Sequence, residues 1–183
     1  MVVAGAGDAA RDGFGRERRP TPRFFNAYSD HRADDLSMLT DALGAALELT
    51  AADMGNVQLI DREAGGLRIV TQRNLTPEFL RHFELVDDRG SACGLALRSG
   101  RRVVVPDVAT SPVFDDETTR GVMARAEVRA VQSVPLRAAD GTVVGVISVH
   151  YRDTDRLTGA DQRLLGLLAQ RAGRLYRGSP PAP

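Results

Sequence analysis

The sequence has no lysine, no tryptophan and only one cysteine, Cys93, in 183 residues. All 24 of its basic residues are therefore arginine. Without lysine there is no P-loop lysine, no Schiff-base lysine and no lysine general base. With one cysteine there is no intrachain disulfide, no thiolate-built zinc site and no intrachain dithiol cycle. An excess of either charge is also missing, since 24 basic residues face 24 acidic ones. That balance gives no overall drive toward nucleic acid or an anionic membrane. No apolar run approaches the roughly 18 residues that span a bilayer. What remains is ordinary for a chain that buries one core: 43% apolar and 26% charged residues.

Residues 1–15 lack a charged segment followed by an apolar one, so they do not read as a secretory leader. A lone thiol and no export signal point to the cytoplasm. Residues 1–33, rich in Gly, Ala, Arg and Pro, read as a flexible tail. Within it Phe24, Phe25 and Tyr28 form a possible docking segment, and Arg16, Arg18, Arg19 and Arg23 read as a solvated basic run. Residues 34–177 read as the folded domain and 178–183 as a Pro-rich disordered end.

The folded part opens with a helix over 34–53, where Leu36, Leu39, Leu43, Ala46 and Leu47 recur at spacings of three and four. Two strands, 56–61 and 67–72, follow around a Gly65-Gly66 turn. Thr76 and Ser91 are placed to cap two short helices, the second ended by Gly100. A β-branched strand over 102–105 stops at Pro106. A helix over 115–127 precedes two strands, 129–137 and 142–151, joined by an Asp140-Gly141 turn of type I′. Thr158 and Asp161 form a capping-box variant that starts the last helix. This order, with its hairpins, predicts an α+β fold around an antiparallel sheet.

A type I′ turn at Asp140-Gly141 pairs Arg137 with Val144, Pro135 with Val146, Ser133 with Ser148 and Val131 with His150. One face then carries Val131, Ser133, Pro135, Val144, Val146, Ser148 and His150. The other carries Val134, Leu136, Val143, Ile147, Val149 and Tyr151 with Gly145. The second is uniformly apolar and suits cover by the terminal helices. The first mixes polar groups into apolar wall, as a small-molecule pocket does.

The run from Gly90 through Ser91, Ala92, Cys93 and Gly94 to Val108 resembles the middle of GAF domains. So do Val131-Gln-Ser-Val-Pro-Leu and Asp140-Gly-Thr-Val-Val-Gly-Val-Ile-Ser-Val-His, ending at His150. The resemblance covers about residues 34–177. It implies an antiparallel sheet of five or six strands, terminal helices on one face, and a pocket on the other beneath the short middle helices. It also implies ligand sensing or dimerisation in bacterial signalling. No output domain fits in the remaining residues, so a separate signalling protein is the expected partner, with a homodimer built through helices 34–53 and 158–177.

The expected ligand-binding residues are Asn56, Gln58, Ser133, Ser148 and His150 from the sheet, with Phe79, Cys93 and Met123 from the middle helices. No catalytic residue is assigned, and the expectation is a non-enzyme. The alternative enzyme is a sulfoxide or peroxide reductase using Cys93, whose place in the first turn of a helix favours thiolate; the favoured reading of Cys93 itself is a small buried structural residue between Ala92 and Gly94. A scaffold with no ligand is the other alternative. The ligand stays unnamed. Haem on His150 is disfavoured for a lone strand histidine, and bilin because Gly94 follows Cys93 where bilin-carrying members often have His. His31 and His82 make no two-His pair, so no metal site is expected.

Overall fold

Asp34 sets the start of the first helix. In the computed structural model, which describes Phe24, residues 34–87 and residues 90–178, its carboxylate accepts the Ser37 N–H at 2.9 Å. It thereby caps α1 (Asp35–Thr50). The bonds from Ser37 hold the Asp34 carboxyl below its ordinary range. Ala51 ends the helix in the left-handed region, at φ 49°. The helix is thus shorter than expected, and Leu36 lies 48% exposed rather than on the covered face. Residues 1–23 and 25–33, including His31, Phe25, Tyr28 and the arginine run, lie outside the described residues, as do residues 179–183.

Strands β1 (Met54–Asp61) and β2 (Gly66–Arg73) pair antiparallel. Their turn is not a Gly65-Gly66 pair. Asp61 pairs with Gly66 across four residues, and its Oδ1 accepts the N–H groups of Glu63 and Ala64. Gly65 alone adopts a positive φ there, so Gly66 is free to begin the strand. Helix α2 (Pro77–His82) follows its Thr76 cap. Strand β3 (Leu85–Val86) is two residues long and leaves no period in the sequence. Helix α3 (Ala92–Ser99) runs between the Ser91 cap and Gly100, at φ 60°. After β4 (Val103–Val105), helix α4 (Glu117–Arg125) starts at the Asp116 cap.

Strands β5 (Ala130–Arg137) and β6 (Val143–Tyr151) complete a six-stranded antiparallel sheet ordered β3-β2-β1-β6-β5-β4. Val131, Ser133 and Pro135 pair with His150, Ser148 and Val146, as the sequence predicts. The hairpin end differs. Arg137 pairs with Val143, not Val144, because a bulge falls between Leu136 and Arg137. The Ala138 N–H bonds the Thr142 carbonyl and the Gly141 N–H bonds the Ala138 carbonyl. Gly141 has positive φ and Asp140 does not, so the type I′ turn is excluded in favour of a three-residue loop. The extra residue turns Val144 to the other face, where it packs with the terminal helices.

That face is covered by α1 and by α5 (Gly159–Leu175), which begins at the Thr158–Asp161 capping box. The Arg177 N–H reaches Asp35 Oδ1 at 3.2 Å, so the end of α5 lies at the start of α1 and the two helices run antiparallel. Leu39, Leu43, Ile147, Leu165 and Leu168 form the centre of this layer, and Phe24 is buried in it at 3% exposure. On the opposite face α2, α3 and α4 roof a second core around Met54, Leu67, Phe79, Phe114, Met123 and Val146. Among the described residues no helix is long and apolar enough to cross a membrane.

Candidate functional site

The strand register decides which side chains face the roof. Asn56 lies opposite Ser148, Met54 opposite His150 and Gln58 opposite Val146. Ser133 lies opposite Ser148 on the other side. Alternation then turns Asn56, Gln58, Ser133, Ser148 and His150 to one face. From the roof, α2 supplies Phe79, α3 supplies Cys93 and α4 supplies Met123. All eight residues expected from the sequence line one chamber.

The sequence reading missed Phe114, another lining residue. It sits in the irregular run before α4, where no period marks it. A large aromatic isolated among Pro112, Asp115 and Asp116 was the only signal. Phe83, Ser91, Ala92 and Val131 also line the chamber.

The free volume of the chamber is about 20 Å³, room for one water molecule. Its walls are largely apolar, and Phe79 meets the His150 ring edge-on at a centroid distance of 5.4 Å. Ser133 and Ser148 satisfy one another, Oγ to Oγ, at 2.8 Å. His150 Nε2 lies 3.1 Å from Asn56 Oδ1. A carboxamide oxygen only accepts, so Nε2 carries the proton and Nδ1 is a bare lone pair. That Nδ1 has no partner, and neither do Oε1 and Nε2 of the fully buried Gln58. Burial without a counter-charge pushes the His150 pKa down to about 3, so the ring is neutral at physiological pH.

Cys93 follows its structural expectation rather than its redox one. Its place in the first turn of α3 does not make it a ready thiolate. Desolvation in the chamber raises its pKa, and Ser91, the local amides and the nearby Gln58 carboxamide oppose that only in part. The Ser91 Oγ is 3.4 Å from the sulfur and caps the helix through Gly94 N–H. Apolar surroundings outweigh the helix end.

The roof is tied at its surface. Arg125 on α4 donates to both carboxylate oxygens of Glu78 on α2, at 3.1 and 3.0 Å from Nε and 2.6 Å from Nη2. That pairing lowers the Glu78 pKa. His82 Nε2 lies 3.0 Å from Thr119 Oγ1 in the same seam. Beside the roof is an open cleft of about 950 Å³, bordered by His82, Asp87, Arg98, Asp115 and Asp116. It shares Phe83 and Ser91 with the chamber, so those two residues stand between the two spaces. Among the described residues no three His, Cys, Asp or Glu side chains are grouped to hold a metal ion.

A family model described as a GAF domain matches residues 33–175. The chain is 31% identical over 131 residues to the Nif-specific regulatory proteins of Azospirillum lipoferum and Azospirillum brasilense. The match takes in 67% of this chain but 20% of each relative, so the chain spans about a fifth of their length. Among solved structures it resembles the GAF domain of a phosphoenolpyruvate-protein phosphotransferase from Coxiella burnetii. That likeness has a TM-score of 0.67 at 13% identity, covering 82% of this chain and 86% of the other. Free methionine-R-sulfoxide reductase from Neisseria meningitidis, in complex with its substrate, gives a TM-score of 0.67 at 20% identity, covering 85% and 84%. At such identities the likeness shows the shared fold.

Proposed function

Since the chain belongs to the GAF domain family, we propose that it is a regulatory module that senses a small molecule in the cytoplasm. It would act through a homodimer and a separate signalling protein. The observation that carries this reading is the convergence of a largely apolar chamber and unpaired buried polar atoms on Gln58 and His150. Gln132 Oε1 and Tyr151 Oη on the face covered by the terminal helices also lack partners, but in the chamber such atoms line one shared space beside apolar wall. The 31% identity to Nif-specific regulatory proteins supports a regulatory role.

The route from chamber to helices runs through α3. Its chamber-lining start carries Ser91, Ala92 and Cys93, and its end is fixed where Arg137 Nη2 donates to the Gly100 carbonyl at 2.8 Å. The Arg137 backbone in turn packs against Gly173 of α5, so closely that a Cβ there would stand 2.4 Å from the Arg137 nitrogen. Movement of α3 on ligand entry would therefore press on α5. The exposed outer side of α5 carries Leu167, 60% exposed, beside a groove formed with Pro135 and Arg137. This is the surface through which the dimer would respond.

Two other readings have an observation each. The Cys93 sulfur lines the chamber, as a reductase would need, but its raised pKa and the absence of a second thiol weigh against that chemistry. The small free volume, room for one water that would bond Gln58 or His150, fits a scaffold with no ligand. Native mass spectrometry of the protein taken gently from its own cells separates the three. A sensor carries a small non-covalent adduct, and its dimer fraction changes when the adduct is dialysed away. A chain with no adduct and a constant association state would overturn the sensor.

A further inference from the structure

The chamber combines two properties that together select a ligand class, given the sensory reading on which this inference rests. The first is charge. None of the described residues lining it carries a charge, and its polar groups are carboxamides, hydroxyls, one thiol and one imidazole. The charged side chains of this region, Asp87, Arg98, Asp115 and Asp116, border the outer cleft instead. An ionised ligand in the chamber would lose its hydration and meet no counter-charge, which costs far more than a few hydrogen bonds return.

The second property is the unpaired hydrogen-bonding set. Gln58 is 0% exposed, and both its Oε1 and its Nε2 lack partners. The Cys93 sulfur beside it is a weak partner. His150 is 4% exposed, and its Nδ1 is an acceptor without a donor because Nε2 is engaged by Asn56. The set asks for one acceptor to receive from Gln58 Nε2 and two N–H donors, for Gln58 Oε1 and His150 Nδ1. A carbonyl next to an N–H answers the Gln58 carboxamide edge-to-edge; His150, four positions further along the sheet, asks for a separate donor. Phe79, Phe83, Phe114 and Met123 face the rest of the space with apolar surface.

We propose that the chamber takes an uncharged small molecule presenting a carboxamide- or urea-type edge to Gln58, with its apolar body beneath the roof helices. The present free volume of about 20 Å³ admits only a water, so entry requires the roof helices α2, α3 and α4 to move outward. Gln58 is the specificity-determining residue, because among the chamber's carboxamides it alone has both its donor and its acceptor unengaged.

The test uses matched probes that differ in charge: benzamide against benzoate and nicotinamide against nicotinate, titrated into the full chain by amide NMR and thermal melting. The expected result is saturable binding of the two amides, with shifts at β1 and β6, and none of the carboxylates. Gln58→Met, which keeps the volume and removes the edge, should weaken the amides at least about tenfold. In the ligand-free protein the same substitution should raise the melting midpoint by about 2 °C or more, since it removes two unpaired buried polar atoms. Equal or tighter binding of the carboxylates would overturn the ligand class while leaving a sensor in place. A fall in the ligand-free midpoint of Gln58→Met would show that Gln58 is already satisfied, and would also overturn it. Failure of every probe, charged or neutral, would overturn the inference. The sensory reading falls separately, on the absence of any cellular adduct.

Discussion

His150 on β6 donates from Nε2 to Asn56 Oδ1 on the neighbouring strand β1, at 3.1 Å, and so holds its other nitrogen bare inside the chamber. The two residues sit diagonally across the strand pair, since Met54 is opposite His150 and Asn56 opposite Ser148. A single cross-strand bond thus fixes both the tautomer of the ring and the polarity of the site.

The same burial sets a pH dependence. The folded-state pKa of His150 is depressed from 6.5 to about 3. Below 6.5 the unfolded chain gains a proton there that the folded chain does not, so stability is full above that pH and falls as pH drops toward about 3. The slope approaches about 1.4 kcal/mol per pH unit. Denaturant unfolding between pH 6.5 and 5 should show this slope, before the carboxylates titrate. His150→Gln should flatten it. An unchanged slope in that variant would place the titration elsewhere.

Chamber access should depend on the surface tie between Glu78 and Arg125. The pair is half-exposed, so Glu78→Gln should leave global stability nearly unchanged. It should nevertheless speed alkylation of Cys93, by up to about fivefold, because Cys93 is only half-buried and roof motion governs how often its sulfur meets the reagent. Iodoacetamide kinetics on the native protein measure this. Rapid alkylation of the unaltered protein at neutral pH would contradict the raised thiol pKa.

The lining of the chamber was easier to read from the sequence than the hairpin end and helix ends around it. Ser133, Ser148, His150, Asn56 and Gln58 were legible because strand alternation depends on period alone, and a register counted from the turn held through six pairs, 131–136. It broke at Arg137 because a bulge is an extra residue with no compositional mark. Leu36 kept helical spacing yet lies beyond the reach of the sheet. The direction of the Cys93 shift is not legible in its helix end alone, because desolvation comes from residues distant in the chain. Chamber volume has no sequence signature at all, since it depends on how far Phe79, Phe114 and Met123 fill the space.

Two glycines of α5 should respond in opposite ways. A Cβ on Gly173 would stand 2.4 Å from the Arg137 backbone, whereas one on Gly166 meets nothing within 4 Å. Gly173→Ala should destabilise the protein by about 1–3 kcal/mol through overpacking. Gly166→Ala should stabilise it by about 0.5–1 kcal/mol through helix propensity. Chemical denaturation of both variants checks the contrast.

The proposed dimer surface makes its own prediction. Leu167→Glu places a charge on the exposed side of α5 without touching the core. It should shift light-scattering mass toward the monomer and leave the melting of dilute protein unchanged. A mass unaffected by the substitution would remove this face from the interface.

The central claim is that the Gln58–His150 chamber is a receptor for a small molecule. Its most direct measurement is a thermal-shift screen of a broad metabolite library, run in parallel on the unaltered protein and on Gln58→Met. The account predicts at least one compound that raises the midpoint of the unaltered protein and loses that effect in the variant. A library in which no compound stabilises the protein, or in which every hit acts equally on both, would contradict it.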